Sequence, residues 1–235
     1  VVLAGAMMLA LAACGSSGSD SAATTAAGGD ATTAAAGGAE GQTYTIGICQ
    51  LVQHDALDAA TKGFRDALTE KLGDAVTFDE QNAAGDSATC STICNTFVSN
   101  GVDLIMANAT PALQAAVSAT ADIPIIGTSV TDYASALDIA EADWKGYTEK
   151  NISGISDGVP ADQIAEIFTD MFPDAKTVGI MYCSAEANSK VQAEDMTEAL
   201  SALGYTVKEF TFADSNDVAS VTQNACDDCE VLYIP

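Results

Sequence analysis

Two hydrophobic periods alternate along most of this chain. Short continuous apolar runs at residues 44–52, 76–81, 103–107 and 123–127 read as strands buried on both faces. Between them apolar residues recur three or four apart. Leu57, Ala60, Thr61, Phe64, Leu68 and Leu72 form one such helical stripe, which Gly73 ends. A second helix is predicted over 87–100, with Gly101 as its stop. A third opens at Thr110-Pro111, a capping residue followed by proline at the first helical position. After Gly127 the rhythm breaks: 129–150 has no clean period and holds the one tryptophan, Trp144, and 151–157 reads as an extended crossing segment. A second series follows, with a helix from Pro160, strands at 177–182, 205–212 and 230–234, and helices over 186–203, stopped by Gly204, and 216–225.

This order predicts an α/β protein with two doubly wound parallel-sheet domains. The first is expected over 43–150 and the start of the second over 160–235, joined by a hinge crossover at 151–159. Three parallel strands leave an unpaired edge, so the second domain is expected to continue past residue 235.

The remaining residues change the picture of where the protein works. Residues 1–13 are apolar and end in Leu11-Ala12-Ala13-Cys14. That run is too short to cross a membrane and has the length of a signal-peptide core. Small residues before a cysteine have the form of a lipoprotein cleavage site. Residues 1–14 therefore read as a signal peptide, truncated at its start, with Cys14 as the lipidated residue. Residues 15–42 are almost all Gly, Ser, Ala, Thr, Asp and Glu, a composition that cannot bury enough surface to order itself, and read as a linker. The expectation is an exported domain, lipid-anchored to the outer face of the cytoplasmic membrane.

The formal net charge is −25, from 33 acidic and 8 basic residues. It opposes both a nucleic-acid role and adsorption to anionic lipid, so the membrane link would be covalent. Of the seven cysteines, Cys90 and Cys94 share a helical face with Ile93, Phe97 and Val98 and read as core, as does Cys49 in its strand. Cys226-Asp-Asp-Cys229 closes a helix and precedes a strand, unlike a thioredoxin motif, and lacks further zinc ligands. A local disulfide or two free thiols fits it better. No metal and no cofactor is expected.

Open parallel sheets bind ligands at the carboxyl ends of their strands. Two facing sheets would therefore bind in the cleft between them, on the loops Gln53-His54-Asp55, Asn108-Ala109-Thr110-Pro111, Thr128 to Asp132 and Cys183 to Ser189. Thr110 and Ser184 are placed as helix N-caps, beside backbone N–H groups suited to a carboxylate. Asp132 and Glu186 can accept from an ammonium. Together these groups suit a zwitterion such as an amino acid, although capping and turn chemistry accounts for each residue singly. There is no Gly-x-Ser-x-Gly elbow and no phosphate loop. His54, the one histidine, has no identifiable nucleophile to activate and reads as a ligand contact or a loop-packing residue.

The run Ile46 to His54 followed by Ala56 to Phe64 resembles the opening of ABC-transporter substrate-binding lipoproteins of the tryptophan/aromatic amino-acid type. Asp79 to Asp86, Ala109-Thr-Pro111, Val130-Thr-Asp132, Asn151 to Asp157 and Ser184 to Ser189 follow in that family's order and spacing. The resemblance runs from about Thr45 to Pro235. It implies the type I periplasmic-binding-protein fold, whose domains close on a ligand and whose chains run well past residue 235. It also implies ligand contacts at Gln53, His54, Thr110, Thr131, Asp132, Ser184, Glu186 and Asn188. Three positions depart from the family's pattern. Gln53-His54-Asp55 replaces Glu-His-Pro, Tyr133 replaces the proline after Thr131-Asp132, and Cys183 replaces an asparagine. All three bear on ligand preference.

The function expected is capture of an amino-acid-like solute, aromatic in the family resembled, by a monomer that delivers it to an ABC permease and its ATPase. Binding and release need no bond chemistry, so no enzyme activity is expected. The alternatives are a ligand-sensing lipoprotein of the same fold coupled to a membrane receptor, and an exported α/β enzyme. The enzyme would require a nucleophile–base pair in the cleft.

Overall fold

The computed structural model describes residues 41–235. The signal segment, Cys14 and the linker up to residue 40 lie outside the described residues.

The first sheet is parallel, in the order β2-β1-β3-β4-β5. Its strands are β1 (Tyr44–Gln50), β2 (Val76–Asn82), β3 (Leu104–Asn108), β4 (Ile125–Val130) and β5 (Ile152–Ser156). Helices α1 (Asp55–Leu72), α2 (Ser87–Asn100), α3 (Thr110–Ala119) and the single turn α4 (Tyr133–Ala136) connect them. Alternation along each strand sends side chains to two covered faces. Ile46, Ile48, Val76 and Met106 pack with Phe64 and Leu68 of α1. Cys49, Ile105, Ala107 and Ile125 pack with Cys90, Ile93, Cys94 and Phe97 of α2 and Leu113 of α3. At Gly47 a Cβ would sit 2.6 Å from the Phe97 ring, so the missing side chain sets how closely α2 approaches β1. Gly101 ends α2 in the left-handed region (φ 67, ψ 44), where its N–H reaches the carbonyls of Phe97 and Val98.

Residues 151–157 are extended, as predicted, and 152–156 form an edge strand paired to β4. The sequence offered no sign of this pairing, because β5 is mostly exposed and carries no apolar alternation. The register shifts between Gly127 and Val130: Gly127 pairs with Gly154 and Val130 with Ser156. One extra residue on β4 makes this a bulge, with Ser129 at φ 55.

The second sheet is also parallel, in the order β7-β6-β8, with β6 (Thr177–Cys183), β7 (Thr206–Phe212) and β8 (Val231–Tyr233). Val178, Ile180 and Tyr182 of β6 pack with Ala165 and Phe168 of α5 (Ala161–Met171) and with Met196 and Leu200 of α6 (Ala187–Ala202). The Phe168 ring stands 5.1 Å from Phe172 and 6.3 Å from Tyr205, centroid to centroid. On the opposite face, Thr222 of α7 (Val218–Asp228) meets the Met181 sulfur at 3.5 Å. Helix α7 starts two residues later than predicted, because the Asp214 carboxylate takes the Asn216 N–H at 2.8 Å and holds the chain in a turn.

Cys49, Cys90 and Cys94 are buried, as their spacing predicted, and the six described cysteines are free thiols. Among the described residues no helix is long and apolar enough to cross a membrane.

Candidate functional site

The β2–α2 turn faces the turns that follow β6 and β7 across a cavity of about 760 Å³. Asp86 and Ser87 line it from the first sheet. Tyr182, Glu186, Ser189, Phe212 and Asp214 line it from the second. Its charged side chains are the carboxylates of Asp86, Glu186 and Asp214, with no Lys, Arg or His among the described residues that line it. Asp86 caps α2, and its hydrogen bonds from Thr89 hold the carboxyl below the usual range. Glu186 sits at the N-cap position of α6, where its carboxylate accepts from the Ser189 hydroxyl at 3.2 Å. The Tyr182 hydroxyl donates to Glu209 at 2.9 Å. Burial first, and Glu209 next, push that phenol up.

Two N-cap expectations require correction. Ser184 does not cap α6: its hydroxyl donates to the Phe212 carbonyl at 3.2 Å and Glu186 takes the cap position. Strand β6 runs on to Cys183, and the Ser184 N–H is held by Phe212 O at 2.9 Å, so the helix begins later. Thr110 is likewise the first helical residue, buried, with Ala109 before it at φ 95 and no side-chain cap. The Ala109 N–H donates to Thr128 O at 3.0 Å, which sets the corner one residue early.

Thr131 and Asp132 leave β4 just beyond the bulge. The Asp132 carboxylate accepts from the Ser135 N–H at 2.6 Å, and the Thr131 carbonyl from the Ser156 hydroxyl at 2.7 Å. Together with Gly158, Gln192, Asp195 and Tyr233 they line a smaller cavity of about 110 Å³. Helix α6 contributes to both hollows, with Ser189 in the larger and Gln192 in the smaller.

Gln53 lies in a third hollow of about 280 Å³ with Gln50, Asp58 and Glu80. His54 caps α1, its Nδ1 accepting from the Ala56 N–H at 3.3 Å, and the residue is exposed. A buried amide network braces this corner. Gln50 Nε2 donates to Asp58 at 2.6 Å, and Thr61 donates to Gln50 Oε1 at 2.7 Å. Asn108 Nδ2 donates to the Leu57 carbonyl at 2.8 Å and to Thr61 Oγ1 at 2.9 Å.

The structure thus distributes the eight expected contacts. Glu186 lines the cavity of about 760 Å³, Thr131 and Asp132 share that of about 110 Å³, and Gln53 lines that of about 280 Å³. His54, Thr110, Ser184 and Asn188 line none of these three, although Asn188 Oδ1 is a buried acceptor with no partner. Asp86, Ser87 and Asp214 were not among the expected residues. The β7–α7 turn, Ala213-Asp-Ser-Asn-Asp217, is a polar strand-end loop of the same kind as those selected.

A family model described as ABC transporter substrate binding protein matches residues 45–235. A tyrosine-binding protein of Clostridioides difficile is 39% identical over 193 residues, covering 81% of this chain and 55% of its own length. A Streptococcus pneumoniae ABC domain in complex with L-Trp is 35% identical and superposes with a TM-score of 0.77, covering 83% of this chain and 65% of its own. The ligand-free, open structure of a Clostridium difficile substrate-binding protein with adhesive properties is 39% identical, with a TM-score of 0.56 over 82% of this chain and 65% of its own. The chain therefore spans about half to two thirds of the length of these relatives.

Proposed function

This chain belongs to the family of ABC-transporter substrate-binding proteins, and on that premise we propose that it is the solute-capturing component of an importer. It takes an amino-acid-like molecule between its strand-end loops and delivers it to a membrane permease and its ATPase. The observation that carries this reading is the cavity of about 760 Å³ where turns from both sheets converge. That volume falls in the roughly 300–1,000 Å³ range of small-molecule sites.

The division of labour follows from the chemistry. Glu186 and Asp132 accept from the ligand ammonium, and Ser189 orients the Glu186 carboxylate. Thr131, Ser184 and Asn188 are the further contacts proposed on the loops beside this cavity, and Gln53, His54 and Thr110 those proposed on the first sheet, although none of the six lines the cavity itself. Tyr182 and Phe212 give the cavity an aromatic side, which suits a ligand such as the tyrosine or tryptophan named for the relatives. The lining carboxylates already hold local donors, Thr89 for Asp86 and Ser189 for Glu186, which supports capture and release rather than proton transfer.

Residues 43–150 and 160–235 are taken as two domains joined by the crossover 151–159, of which 152–156 pair with the first sheet as β5 and 157–159 make the remaining connection. The protein is read as an exported monomer, held at the outer face of the membrane by a lipid on Cys14.

A thermal-shift screen against the twenty amino acids tests the function. A ligand at about 100 times its Kd adds about 2.7 kcal/mol, a shift of several degrees. A shift with one or a few amino acids supports capture. No shift with any of the twenty overturns it.

A further inference from the structure

Tyr133, next to Asp132, is seated in a manner that ordinary surface packing does not require. Its ring lies over two glycines that are paired across β4 and β5, Gly127 and Gly154. A Cβ at either glycine would collide with the phenol oxygen, and at Gly127 the three nearest atoms all belong to the Tyr133 side chain. The hydroxyl donates to the Ile155 carbonyl at 3.3 Å. Burial, followed by the nearby Asp157 charge, pushes the phenol up to about 12, so it remains a neutral donor well above physiological pH. Two more bonds join the same two segments, and a third braces the β5 side. The Ser156 hydroxyl donates to Thr131 O at 2.7 Å and accepts from the Gly158 N–H at 3.1 Å, and the Asp157 N–H donates to Val130 O at 3.2 Å.

From this geometry we infer that Tyr133 is a positioning residue for ligand binding, locking the Thr131–Asp132 loop onto the β5 segment that leads into the crossover. The inference rests on the proposed contact between Asp132 and the ligand. The bulge in β4 gives the loop a choice of direction, and the phenol wedged on the glycine pair selects one. Because β5 runs on through Asp157 and Gly158 to Pro160, the loop and the start of the crossover move as one piece. The Asp132 carboxylate, the proposed partner of the ligand ammonium, therefore keeps its position relative to the hinge.

The test is calorimetric titration of the full-length protein with L-tyrosine and with L-tryptophan, alongside thermal unfolding of each variant. Asp132→Asn keeps the cap, since Asn caps as well as Asp, and removes the charge. It is expected to weaken binding at least tenfold. Tyr133→Phe removes one hydrogen bond and is expected to weaken binding about 2- to 10-fold. Gly127→Ala evicts the ring and is expected to weaken binding by more than Tyr133→Phe. In a Tyr133→Ala background, Gly127→Ala is expected to change affinity less than twofold, because its collision partner is gone. A purely structural role for Tyr133 lowers Tm in these variants and leaves Kd within twofold of the unmodified protein. That result, with Asp132→Asn weakened as expected, overturns the inference and leaves the proposed function standing. Binding of neither probe by the unmodified protein, or full affinity in Asp132→Asn, overturns the ligand reading and the inference with it.

Discussion

Asn108 at the end of β3 donates to the hydroxyl of Thr61 in α1 at 2.9 Å, across 47 residues of sequence. Thr61 passes its own proton to Gln50 Oε1 at 2.7 Å, and Leu57 O fixes the orientation of the Asn108 amide. All three side chains are buried, so the atoms of this relay depend on one another rather than on water, while Asn108 Oδ1 is left buried without a partner. Thr61→Val keeps the shape and strands both Gln50 Oε1 and one Asn108 proton. It is expected to cost about 1–3 kcal/mol in denaturant unfolding. A cost below about 0.5 kcal/mol would show that the network adds little.

Gly47 and Phe97 set the spacing between β1 and α2. Gly47→Ala places a methyl 2.6 Å from a ring that is fully buried. It is expected to destabilise the protein by about 1–3 kcal/mol. Phe97→Leu, destabilising by itself, should make the added methyl less costly, so a double-mutant cycle between the two is expected to show coupling. Additive effects would contradict the close approach.

Three tyrosines report alkaline stability. Burial raises the phenols of Tyr133, to about 12, and of Tyr182 and Tyr233, with Asp157 adding at Tyr133 and Glu209 at Tyr182. A raised folded-state value means that the unfolded chain loses these protons first. The stability they contribute is complete below about pH 10. It falls progressively as pH rises from there towards 12. Ultraviolet titration is expected to show delayed ionisation of these phenols and a drop in Tm over the same window. Ionisation of every tyrosine near pH 10 with Tm unchanged would contradict this.

The thiols separate by burial. Cys226 is exposed, whereas Cys49, Cys90 and Cys94 sit together inside the first core. Contact with Cys90 and Cys94, and then burial, raises the Cys49 thiol further. A thiol reagent added to the native protein is expected to label Cys226 readily and these three only after unfolding. Native-state labelling of Cys90 or Cys94 would show that α2 opens locally.

Much of this architecture was legible from periodicity. Continuous apolar runs in β1 and β3, and three-to-four spacing in α1 and α2, reflect which faces must be buried, and Gly101 ends α2 where the pattern stops. The corners were less legible. Whether Thr110 or Ala109 begins α3 depends on a bond from Ala109 to Thr128 on the next strand, and the start of α6 depends on Ser184 meeting Phe212. These contacts are long-range and leave no local signature. Strand β5 escaped notice because Ser153, Gly154 and Ser156 pair through their backbones and bury little. Tyr133 could be singled out as unusual, yet its seat needed Gly127 and Gly154, 27 residues apart in sequence, to be placed side by side. Six of the eight expected residues lie on strand-end loops, whereas Thr110 and Asn188 fall in the first turns of α3 and α6; which loops share a hollow is set by the fold of both halves.

The most direct measurement is a crystal structure of the full-length protein grown with the amino acid that most raises its Tm. The ligand is expected between the strand-end loops, its ammonium within hydrogen-bond distance of the Glu186 or Asp132 carboxylate. A ligand bound away from these loops, or one whose ammonium meets neither carboxylate, would contradict the proposed site.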